Sequence, residues 1–106
     1  MTCRCQQPPF RYQDFERAQI GADAFNADVS IDTCKACGAL WLVYRIEEEH
    51  YAKSGRWWRV PISAADRKAL EADDARALIE RSGWCFVGGS FHNSTGYRQD
   101  GPIVVR

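Results

Sequence analysis

The chain has 106 residues, 14 Lys and Arg against 14 Asp and Glu, a pI near 6.7 and five cysteines. That length holds a single domain, and zero net charge argues against a general phosphate-backbone binder, which clusters its Lys and Arg. With 45% hydrophobic and 12% aromatic residues the chain is not a disordered tail, and its longest apolar run, residues 39–44, falls far short of a membrane span of about 18 residues.

Residues 1–9 read as a cysteine-bearing arm, stopped by Pro8-Pro9. Residues 10–27 suggest a short helical turn lined by Phe15, Ala18 and Phe25, with Gly21 and Asn26 interrupting it. Residues 28–33 alternate polar and apolar, the period of a half-buried strand. Cys34-Lys35-Ala36-Cys37-Gly38 then leads into a second strand over residues 39–47, which puts this cysteine pair in the turn of a hairpin. A turn at residues 52–55 returns the chain as a strand over residues 56–62, and Pro61 marks an edge or a strand end.

Residues 63–82 predict helix. Ser63 is a good N-cap with Asp66 at N3, and Ala65, Ala69, Leu70, Ala75, Leu78 and Ile79 form an apolar stripe. Asp73-Asp74 leaves open one bent helix or two short ones, and Gly83 suits the position just past the end. Residues 84–87 read as a short buried strand weakened by Gly88-Gly89, residues 92–102 as a loop, and residues 103–105 as a terminal strand. The expected fold is α+β, one domain over residues 1–106: a small antiparallel sheet, a four-cysteine zinc knuckle at a hairpin tip, and one or two helices on one face.

The chemistry concentrates in the cysteines. Cys34-x-x-Cys37 lets two sulfurs converge on one ion while Gly38 turns the chain back, and Cys3-x-Cys5 can supply two more ligands for a tetrahedral Zn2+. Met1-Thr2-Cys3-Arg4-Cys5 has no apolar signal stretch, so a cytoplasmic setting is expected, where paired cysteines read as ligands before disulfides. A redox pair or two disulfides are the alternatives, and His50 or His92 could stand in for a cysteine. The Cys34–Gly38 segment with its flanking strands resembles the knuckle of zinc-ribbon and treble-clef domains, although Cys3-x-Cys5 has one intervening residue instead of two. The run from Cys37 to Leu42 and from Gly55 to Trp58 is also similar to small bacterial proteins of unassigned activity. The resemblance implies a structural Zn2+ bound by Cys3, Cys5, Cys34 and Cys37 and carries no catalytic residues.

Cys85, in Trp84-Cys85-Phe86-Val87, reads as a small buried hydrophobe. The run Glu47-Glu48-Glu49-His50 holds groups for acid–base chemistry but suits a solvated strand end better. Arg56-Trp57-Trp58-Arg59 has the composition of an interface hot spot. The function expected is a non-enzymatic protein-binding module with a structural zinc, such as an immunity protein that covers a toxin. The alternatives are a nucleic-acid-binding zinc ribbon using Arg4, Arg11, Lys35, Arg56 and Arg59, and a small enzyme using Cys85 or the Glu/His cluster.

Overall fold

The computed structural model describes residues 4–6, 10–24, 27–46, 56–89, 96–101 and 103. Cys3, Pro8-Pro9, Phe25, the Glu47–His50 run, the 52–55 turn, His92 and Val105 lie outside them. Among the described residues six strands, β1 (Phe15–Ala22), β2 (Asp28–Cys34), β3 (Leu40–Ile46), β4 (Arg56–Ile62), β5 (Trp84–Gly89) and β6 (Tyr97–Asp100), form one sheet in chain order. Every neighbouring pair is antiparallel. The helices α1 (Ala64–Ala69) and α2 (Ala75–Glu80) connect β4 to β5, so the α+β class is observed. None of the described helices is long and apolar enough to cross a membrane.

The helical segment divides at Asp73-Asp74, as that acidic pair suggested. Ser63 caps α1 by accepting from the Asp66 amide at 3.0 Å, and the Asp66 carboxylate closes the reciprocal half of the capping box. A 3-10 turn over Ala72–Asp74 then restarts the chain as α2. Only α2 contributes buried side chains, Ala75 and Ile79, and Gly83 takes φ +83° just beyond it.

Strand alternation gives the sheet two distinct faces. The helix side buries Val29 and Ile31 from β2, Leu42 and Tyr44 from β3, Trp58 and Val60 from β4, and Cys85 and Val87 from β5, under Ala75 and Ile79. The opposite side gathers Phe15, Cys34, Trp41 and Phe86 with Cys5, and Phe10, Trp57 and Trp84 pack against them. The chain's own N-terminal arm covers that second face. Phe10 lies 5.0 Å from the Phe86 ring and 5.9 Å from Trp57, and the Lys35 amide donates to the Asp14 carbonyl at 2.9 Å.

Three expectations are corrected. The region read as a helical turn is one 3-10 turn, Tyr12–Asp14, followed by strand β1. β1 buries only Phe15 and has little apolar alternation of its own, so pairing with β2 determines it. Its register slips between Gln19 and Gly21, and the extra residue, Ile20, packs against the helix-side core. The region read as a loop holds β6, an edge strand with a largely exposed side-chain pattern and therefore no period-two signal. Ile103, expected to open a terminal strand, is instead a buried residue of the helix-side core outside any strand.

Candidate metal centre and the ion cluster on its face

The cysteine centre is assembled by two turns. Cys34 is the last residue of β2, and its amide donates to the Ala39 carbonyl at 2.9 Å while its carbonyl accepts from the Gly38 amide at 2.9 Å. Gly38 holds φ +78°, a conformation that penalises a Cβ, which is why glycine follows Cys37. Cys5 arrives on the 3-10 turn Arg4–Gln6 of the arm. The Sγ atoms of Cys5, Cys34 and Cys37 all lie within 4.8 Å of one another. Cys5 and Cys37 are 3.6 Å apart, far beyond a disulfide bond of about 2.05 Å. Sulfurs bound to one tetrahedral Zn2+ at about 2.3 Å sit about 3.8 Å from each other, so this spacing suits a shared ion. Cys5 and Cys34 are buried and Cys37 is exposed. The structure thus brings together three of the four expected ligands, and the fourth, Cys3, lies outside the described residues.

On the same face lies a cluster that residue spacing did not reveal. Asp32, two residues before Cys34, accepts from Arg17 Nε at 2.7 Å, Arg17 Nη2 at 3.0 Å and Arg59 Nη1 at 2.8 Å. Asp32 is 1% exposed and Arg59 4%. Burial works to raise the Asp32 carboxyl, but the two guanidinium partners outweigh it and hold the carboxyl below its ordinary value. Burial lowers Arg59, with Asp32 opposing the shift and Arg17 adding to it. The Arg59 guanidinium also sits 4.5 Å from the Phe15 ring centroid, 4.6 Å from Phe10 and 5.6 Å from Trp41. These contacts replace water with polarisable ring faces. Its Nε and Nη2 are buried with no hydrogen-bond partner among the described residues. A sequence signal existed, since period two places Asp32 with Cys34 and Arg59 opposite Trp58, but only the strand order puts β1, β2 and β4 side chains within reach.

The expected partner-binding quartet is thereby divided. Trp58 belongs to the helix-side core and Arg59 to the ion cluster, because β4 is an interior strand covered on both faces. This corrects the reading of both as surface groups. Arg56 is exposed, and Trp57 is half-buried against Phe10. The Trp57 ring lies against β5. A Cβ on Gly88 would stand 2.4 Å from it, and one on Gly96 also 2.4 Å, so these glycines make room for the indole.

Cys85 is fully buried, as expected of a small core residue, and burial pushes its thiol up to about 11. A nucleophilic cysteine needs the opposite shift. Two shallow clefts of about 290 and 160 Å³ flank the helices and share Asp66, Leu78 and Arg81. Asp66 already serves the α1 cap there. Compared with known proteins, the chain matches no family, no curated protein and no solved structure.

Proposed function

We propose that this chain is a non-enzymatic protein-binding domain held together by a structural Zn2+, with Cys3, Cys5, Cys34 and Cys37 as its thiolate ligands. The convergence of Cys5, Cys34 and Cys37 carries the reading. Four thiolates close the coordination sphere and leave no position for water, which makes the metal structural and not catalytic. The ion would tie the arm to the β2–β3 turn, in the manner of a zinc-ribbon knuckle. Elemental analysis of protein purified without added metal is expected to find one zinc per chain. A well-folded chain with no metal would refute the assignment.

The protein-binding half of the proposal draws on what the fold leaves accessible. Helices cover one sheet face and the arm the other, so a partner meets edges and loops. Tyr97, on edge strand β6, is 64% exposed. Its β5 partner Val87 precedes Gly88, which pairs with Trp57, and Arg56 is next in line on β4. Tyr97 and Arg56, which share the helix-side face at this end of the sheet, make the contact patch in this reading, with Trp57 behind them on the other face, and its partner is a protein. A cytoplasmic immunity protein works this way, covering a toxin by shape and charge complementarity. Burial of Arg59 weakens the nucleic-acid alternative by removing one of its five cations from the surface. The expected result is a partner bound at unit stoichiometry that Tyr97→Asp releases while zinc content is unchanged. Retention of the partner by that variant would overturn the patch.

A further inference from the structure

We propose that the Arg17–Asp32–Arg59 cluster is the counter-charge of the cysteine centre, so that the buried Arg59 guanidinium strengthens the binding of a divalent, thiolate-ligated cation without touching it. This rests on the reading of Cys5, Cys34 and Cys37 as ligands.

Two guanidinium groups and one carboxylate leave the cluster with one net positive charge. Arg59 is the buried cation among the described residues, and two of its nitrogens have no hydrogen-bond partner there. A buried cation left partly unpaired is unfavourable unless a second negative charge stands nearby. The cysteine centre supplies one only when metal is bound. Three thiolates and a divalent ion together carry one negative charge, and a fourth thiolate makes two; protonated thiols carry none. The geometry joins the two groups. Asp32 and Cys34 share a face of β2, and Phe15, over which Arg59 lies at 4.5 Å, pairs directly with Cys34. Phe10, Phe15 and Trp41 line the space with rings, so charges act there over longer range than in water.

The test is competition for Zn2+ between the full-length chain and a chromophoric chelator. Arg59→Met keeps the length and apolar stem but removes the charge, and it is expected to weaken affinity about 10- to 100-fold, the usual effect of losing a group that supports metal ligands. Arg59→Lys should restore most of that loss. Asp32→Asn removes the opposing negative charge, so affinity should stay the same or rise. A purely structural role predicts that Asp32→Asn weakens binding as Arg59→Met does, and that outcome would overturn the proposal. Should Arg59→Met fail to fold, Arg17→Gln serves, because Arg17 is 40% exposed on an edge strand; a smaller loss is expected, and an unchanged affinity counts against the idea. A wild-type chain that takes up no zinc removes the metal reading itself. A wild type that binds zinc, with charge variants that bind equally well, removes only this inference.

Discussion

The two faces of the sheet are buried by different physics. The helix side is an apolar core of Val29, Ile31, Leu42, Val60 and Ile79, each fully buried, with the Tyr44 hydroxyl donating to Asp23 at its margin. The arm side has fewer aliphatic groups. It packs tilted and edge-on rings, Phe10, Trp41, Trp84 and Phe86, around a buried carboxylate, a buried guanidinium and a cysteine cluster. Apolar burial needs no partner of fixed geometry, so the helix side tolerates substitution in proportion to volume. A face built on charges and ligands fails abruptly when one member is missing. Any dependence of the domain on a bound metal should therefore reside on the arm side alone.

Metal removal should separate the faces most strongly. With zinc bound as proposed, chelation is expected to release the arm and expose Trp57 and Trp41, while the helix side stays packed. Tryptophan emission should shift to the red with little loss of far-UV circular dichroism; an unshifted spectrum after full metal loss would contradict it. Apparent metal contributions of about 10 kcal/mol in structural sites make this the largest effect.

Single substitutions should rank the faces next. Asp32→Ala strands the buried Arg59 and is expected to cost about 4 kcal/mol in denaturant unfolding. Ile79→Ala, on the helix side, leaves a cavity and should cost about 3 kcal/mol. A smaller loss for Asp32→Ala than for Ile79→Ala would reverse the ranking of the two faces. Ser63→Ala removes the cap of a helix with no buried side chain, so about 1 kcal/mol is expected by the same melts.

Cys85 provides the mildest contrast. Its thiol is raised from 9.0 to about 11, so the native state resists ionisation that the unfolded chain permits. The stability tied to this group is present in full below pH 9 and is lost as pH rises from 9 to about 11. At pH 8 a thiol reagent should label Cys85 in the native protein far more slowly than in the unfolded chain. Equal rates would show that the helix-side core opens freely.

Much of this was legible in the residues. The alternation in β2, the Cys-x-x-Cys-Gly turn into β3, the Ser63–Asp66 cap and the terminating Gly83 are local signals, each set by a few neighbouring side chains. β1 and β6 carried no such signal because both are edge strands with few buried side chains, and their conformation comes from hydrogen bonds to the adjacent strand and not from their own side-chain pattern. The surface role read for Trp58 and Arg59 failed for a related reason. Two Trp between two Arg look like an interface until the strand is known to be interior.

The sequence by itself determined the α+β class, the start and end of the helical segment, and Cys5, Cys34 and Cys37 as candidate ligands. These follow from composition and from patterns spanning a few residues. Only the tertiary structure decided that Cys5 meets Cys34 and Cys37, that Arg17 and Arg59 converge on Asp32, and that the arm covers a sheet face. The cysteine and ion contacts join residues 15 to 32 positions apart, and their geometry exists only once the strand order and register are in place.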